Sequence, residues 1–181
     1  MRIDKYASDW RLENEEKNGK VRTVTVYRGD HHHFSFPEKA ASYRIRAALA
    51  VIILIATAIG SVFFRIDTFR TWYANMPFYI SMFFLLFLSD SVNRFIRSED
   101  GKIIREDADK IYSRYMIDSF LGLFFVCASL IGCIASVITK KTMSAADWGF
   151  AAVVIAHIVI YVYLLVHKDC VMTEKNTAEK E

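Results

Sequence analysis

Apolar residues run almost unbroken through four stretches of this chain, 47–64, 72–89, 119–139 and 148–166, and polar residues dominate between and around them. A run of about 18 residues in a helix rises roughly 27 Å, close to the thickness of the hydrocarbon layer of a bilayer. The pattern therefore predicts an all-α integral membrane protein, a four-transmembrane-helix bundle built from two hairpins. The charge-dense stretch 90–118 separates the hairpins and contains Arg94, Arg97, Lys102, Arg105, Lys110 and Arg114. Asp90 marks where the second span must end, because a carboxylate at mid-bilayer costs about 2.5–3.5 kcal/mol. The helix is expected to continue to Ile96, break over 98–101 and restart. Ile104, Ala108, Ile111, Tyr112 and Tyr115 then recur at helical spacing, so this second half reads as an amphipathic helix feeding the third span.

Within the third span, Gly122, Ser129, Gly132, Cys133 and Ser136 form a stripe of small residues, which lets neighbouring helices approach and is expected to face inward. Gly149, Ala152 and Ala156 make a similar stripe on the fourth. Trp72, Tyr73 and Trp148 suit one interfacial aromatic belt, and Tyr43, Tyr112, Tyr115 and Tyr163 the other.

Ahead of the first span, residues 1–36 alternate differently. Two runs rich in strand-forming and alternating residues flank Asn18-Gly19, the dipeptide favoured by a tight hairpin turn because both residues accept positive φ. A short β-hairpin is predicted, extended to a three-stranded meander if residues 31–36 return after Arg28-Gly29-Asp30. Ser35-Phe-Pro-Glu38 and Ser144-Ala-Ala-Asp147 fit the helix-capping pattern and are expected to start the first and fourth helices. The chain thus divides into a β-rich segment 1–36, a bundle 37–167 and a polar tail 168–181 expected to be disordered.

Composition narrows the class. A chain of 181 residues that is 54% hydrophobic, with a mean hydropathy of +0.22, is too apolar for an ordinary soluble domain. Of its 23 Lys and Arg residues, all but Arg65, Arg70, Lys140 and Lys141 lie in the stretch up to Arg46, the central loop or the tail. Basic residues are retained in the cytoplasm, so both termini are expected there, in a multi-pass protein of the cell membrane. These cations are spread by loop and gather into no nucleic-acid-binding patch. The first ten residues have no apolar signal core, so the first span is expected to act as the insertion signal. Cys127, Cys133 and Cys170 sit where oxidising chemistry would join no pair, and all three are expected to be reduced.

Candidate chemistry is sparse. His157 is the one strongly ionisable side chain deep in a span, with Tyr161 four residues on along the same face, so the two are candidates for a polar pair; Ser129, Ser81 or a backbone carbonyl are alternative partners for the imidazole. Asp90 and Asp118, at opposite edges of the central loop, could line a vestibule with Asn93 and Arg94. His31 and His33 would share one face of a strand, but two imidazoles do not complete a metal site. Zinc-protease, dithiol, dinucleotide, phosphate-loop and nucleophile-elbow motifs are absent, so no enzyme activity and no cofactor is expected. Ala56-Thr-Ala-Ile-Gly-Ser61 resembles Ala128-Ser-Leu-Ile-Gly-Cys133, which suggests a parallel repeat of the two hairpins. Two functions follow from these features. The first is a structural or accessory protein that assembles with itself or a larger membrane partner through its cytoplasmic segments; the second is a small dimeric transporter or channel with a polar site around His157 and Tyr161. Besides the lipid bilayer, a homo-oligomer or a larger membrane protein is the expected partner.

Overall fold

The computed structural model describes residues 7–17, 20–62, 72–99, 102–140 and 144–175. Two strands, β1 (Trp10–Lys17) and β2 (Lys20–Tyr27), pair antiparallel with Trp10 opposite Tyr27 and Lys17 opposite Lys20. That register leaves a two-residue connection, as the hairpin expectation requires; the Asn18-Gly19 turn itself lies outside the described residues. The next strand, β3 (His31–Phe34), does not extend the hairpin into a meander. Instead it is the centre of a separate sheet, flanked by β4 (Ile103–Ile104) and β5 (Thr173–Lys175), both antiparallel to it. Three segments far apart in sequence are thereby stitched together at one end of the bundle. The beginning of the tail, expected to be disordered, is ordered for this reason: Lys168–Val171 forms a 3-10 turn and the following residues complete the sheet.

Four long helices follow: α1 (Pro37–Val62), α2 (Trp72–Arg97), α4 (Tyr115–Lys140) and α5 (Ala145–Val166), each long and apolar enough to cross a membrane. Between α2 and α4 lie β4, a short helix α3 (Arg105–Asp109) and a π-helical stretch Lys110–Arg114 that runs directly into α4. The expected amphipathic face is present, with Ala108, Ile111 and Tyr115 buried. The loops at 63–71 and 141–143, which hold Arg65, Arg70 and Lys141, lie outside the described residues. α2 packs most extensively on α4, α5 packs on α4, and α1 closes the ring against α2 and α5.

Helix starts differ from expectation at one point. Ser144 caps α5 reciprocally with Asp147, each side chain meeting the other's backbone N–H. Ser35 does not cap α1. Its backbone N–H is committed to Met172 across the sheet, its hydroxyl has no partner, and α1 begins at Pro37 instead.

Each helix buries one stripe and exposes an equally apolar remainder. On α1, Tyr43, Ala47, Leu54, Ala58 and Ser61 face inward while Ile45, Leu49, Ile52, Ile59 and Val62 face out. The third-span stripe lies inward, with Gly122, Ser129, Gly132, Cys133 and Ser136 all buried. The fourth-span stripe does not: Ala152 and Ala156 are exposed, and α5 instead buries Phe150, Val154, His157, Tyr161 and Leu164. Tyr161 on α5 fills the space that Gly122 on α4 leaves open, whereas Gly132 and Ser129 of the same stripe meet α2. The two glycines of the suggested repeat also differ. A Cβ on Gly60 would meet nothing within 4 Å, whereas one on Gly132 would lie 2.6 Å from both the Ala74 Cα and the Tyr73 carbonyl oxygen. Pro77 explains part of that closeness, since it has no N–H to offer the Tyr73 carbonyl four residues back.

Candidate functional site

Polar side chains inside the bundle fall into separate groups. The first is His157 on α5. Its Nε2 lies 2.8 Å from the Thr57 hydroxyl on α1, which itself donates to the Ile53 carbonyl at 2.7 Å. With its single proton committed there, the hydroxyl is left to accept from His157 Nε2–H. The ring also packs at 5.3 Å against Phe78, tying α1, α2 and α5 together. Neither serine considered as a partner for His157 takes that role. Ser129 donates to the Ala74 carbonyl at 2.8 Å, and Ser81 to Phe78 of its own helix.

Tyr161 points elsewhere. Its ring rests on Gly122 of α4, whose absent Cβ would lie 2.5 Å from the ring carbons and 2.7 Å from the hydroxyl. That hydroxyl is buried and makes no hydrogen bond, so the expected His157–Tyr161 pair is not formed. Asp118 and Ser119 lie one turn before Gly122 on α4. Both are buried, and Asp118 Oδ2 and Ser119 Oγ likewise lack a partner.

A third group sits at the sheet end. Tyr115 donates to the Leu164 carbonyl at 2.9 Å, and its oxygen lies 2.7 Å from the Tyr43 hydroxyl, which therefore donates to it. Both tyrosines, expected in an interfacial belt, are instead fully buried links between α1, α4 and α5. Nearby, Arg44 donates to the Ser98 carbonyl at 2.7 Å and lies over the Phe34 and Phe95 rings, fastening α1 to the end of α2.

Asp90 belongs to a fourth group, on the bundle surface. Arg94 bridges Asp90 at 3.0 Å and Asp107 at 2.9 Å. These residues, with Asn93, Arg97 and Ser98, line a pocket of about 310 Å³. Asp118 is not among the residues lining this pocket.

Comparison with protein-family models, curated proteins and solved structures gives no match.

His31 and His33 alternate with His32 along β3, and the Nδ1 atoms of all three are buried without partners. Among the described residues no three His, Cys, Asp or Glu side chains converge on a common point. The histidines thus form part of the sheet that closes the bundle. Burial holds the His32 pKa below its ordinary value, with Asp109 and Asp30 opposing that shift. Tyr27 joins the hairpin to this sheet: its hydroxyl accepts from the Arg105 backbone N–H at 3.0 Å and donates to the Asp30 carbonyl at 2.9 Å. Cys127, Cys133 and Cys170 are free.

Thr57, Ser119 and Asp107 were not singled out in the sequence. Each is an ordinary polar residue whose importance depends on a neighbour from another helix or loop. The one available signal was the position of Thr57 inside one apolar run and of Ser119 at the start of another, where an unpaired hydroxyl is costly.

Proposed function

We propose that this chain is an accessory protein of the cell membrane. In this reading its four helices cross the bilayer with both terminal segments and the central loop in the cytoplasm, and those segments dock a larger membrane protein or a second copy. The observation that carries the proposal is the contrast between the two parts of the surface. Ile52 at 58%, Phe120 at 60%, Ile131 at 68% and Val159 at 62% exposure belong to a continuous apolar girdle that water would not tolerate and lipid would cover. At one end of that girdle, polar segments from before α1, between α2 and α4, and after α5 meet in a single sheet. An even number of spans brings all three to one side of a membrane, and the distribution of Lys and Arg assigns that side to the cytoplasm.

The β1–β2 hairpin stands beyond this sheet, with Leu12 74% exposed and Trp10 and Val24 partly so. A two-stranded ribbon of this kind is marginal by itself and offers open edges to a partner strand. The polar positions inside the bundle support a structural role as well, because His157, Ser129, Tyr43 and Tyr115 each tie one helix to another.

Two measurements test the proposal. A reporter fused after Glu181 should remain cytoplasmic, and solubilised native membrane should yield a stable complex with one larger protein or a homo-oligomer of defined mass. An exterior reporter, or a monomer without partners, refutes it. The second reading, a small dimeric transporter or channel, draws on the buried His157 and Tyr161. It replaces the first if purified chain moves a solute across liposomes and His157→Ala stops that movement without unfolding the protein.

A further inference from the structure

Asp118, Ser119 and Tyr161 present three oxygens in the bundle interior that nothing in the fold satisfies. Asp118 is 7% exposed, and Ser119 and Tyr161 are fully buried. Asp118 and Ser119 stand on α4 one turn before the glycine on which Tyr161 of α5 rests. Asp118 and Ser119 precede Gly122 by four and three residues, the spacings that put side chains on the same helix face one turn apart. Gly122 is the position against which the Tyr161 hydroxyl lies, at 2.7 Å from where a Cβ would stand. A larger residue there would push the phenol away, so the glycine sets the distance between Tyr161 and the Asp118 turn.

The unmet chemistry is specific. Asp118 Oδ2, Ser119 Oγ and Tyr161 Oη are all without a hydrogen bond. A buried carboxylate is ordinarily neutralised by a paired cation or by several donors. Arg114, at the end of the π-helical stretch one turn back, is exposed; its charge acts on Asp118 across space, but the two form no ion pair among the described residues. We propose that Asp118, Ser119 and Tyr161 form a binding site for a small monovalent cation between α4 and α5. Three oxygens are the donor type that hard cations take, and a single carboxylate balances one positive charge but not two. Soft and borderline metals are disfavoured by the absence of a nitrogen or sulfur donor in the set. The inference goes beyond docking and holds whether or not the chain has a partner. Bound there, the cation would join α5 to α4 where these three oxygens lack partners.

Sodium is the probe. For the purified full chain in detergent at constant ionic strength, replacing choline chloride by sodium chloride should raise the thermal transition in a saturable way. Asp118→Asn should abolish the saturable part. Ser119→Ala and Tyr161→Phe should each raise the half-saturating concentration about tenfold or more, the effect of removing one ligand to a charge. Direct binding of radioactive sodium should reach one ion per chain. Should Asp118→Asn fail to fold, the Ser119 and Tyr161 variants carry the test. The proposal is overturned if the transition is the same in sodium and choline, or if all three variants keep the sodium response. It is equally overturned if stability follows pH alone, for then a proton neutralises Asp118.

Discussion

Replacing Gly132 by alanine adds one methyl group where α4 meets α2 backbone to backbone. The new Cβ would lie 2.6 Å from the Ala74 Cα and the Tyr73 carbonyl oxygen and 2.9 Å from the Ala74 nitrogen. Comfortable separation between carbon atoms is about 3.5–4.0 Å, so the helices must part by roughly 1 Å. No flexible side chain can give way, because the obstructing atoms are backbone. Overpacking of this kind costs about 1–3 kcal/mol. Parting the helices also stretches the bond from the Ser129 hydroxyl to the Ala74 carbonyl, now 2.8 Å, past the limit at which it counts as a hydrogen bond. Losing it adds about 0.6–1.7 kcal/mol. Less up to about 1 kcal/mol of better helix propensity, Gly132→Ala should therefore destabilise the bundle by about 1–4 kcal/mol. Gly149→Ala is the matched control, since a Cβ there meets nothing within 4 Å. Better helix propensity should leave that variant neutral or up to about 1 kcal/mol more stable. Reversible unfolding in mixed micelles, followed by tryptophan fluorescence, measures both. If Gly132→Ala unfolds within about 0.5 kcal/mol of the parent chain, the spread expected of inconsequential surface changes, the close α2–α4 approach is refuted.

Other perturbations separate the remaining links. Tyr115→Phe removes both the donor to the Leu164 carbonyl and the acceptor for Tyr43, and should cost about 1–3 kcal/mol in the same unfolding assay. Tyr43→Phe leaves the Tyr115–Leu164 bond intact and should cost less; the reverse order would contradict the direction assigned to these bonds. Thr57→Val keeps the side-chain shape but strands His157 Nε2–H, and should destabilise by about 1 kcal/mol, with the imidazole signals in NMR shifting as the ring loses its partner. The sheet joining the three polar segments should weaken in mild acid. Burial lowers the His32 pKa in the folded state, so the opened sheet takes up a proton near the ordinary value of about 6.5 while the closed sheet resists it. The stabilisation is therefore present above pH 6.5 and declines as pH falls below it. Amide exchange at residues 31–34 and 173–175 should accelerate from pH 7 to 5.5, after correction for intrinsic rates, and His32→Gln should flatten that dependence. Unchanged protection in the parent chain would show that His32 is not closed off by the sheet.

Four helices, their approximate limits and the hairpin strands were legible from residue order because each depends on neighbours in sequence. A long apolar run needs a helix to satisfy its own backbone wherever water is excluded, and alternation around Asn18-Gly19 needs only two adjacent strands. The inward stripe of α4 was legible too, since small residues pack closely whatever they meet. The inward face of α5 was not: with Ala152, Ile155, Val159 and Val162 outside and Phe150, Val154 and Leu164 inside, both faces are apolar and hydrophobicity carries no direction. Only the shape of α4 decided it, by leaving room at Gly122 for Tyr161. Distance along the chain hid the rest. The strand at 31–34 was legible, but its partners β4 and β5 have two and three residues and come from segments far along the chain, too short to register as strands alone. His157 took Thr57, 100 residues away, over the serines because the ring closure of α1 against α5 set those two side chains face to face. Local chemistry fixed which pieces form; packing between pieces fixed which polar atoms meet and which, at Asp118, Ser119 and Tyr161, do not.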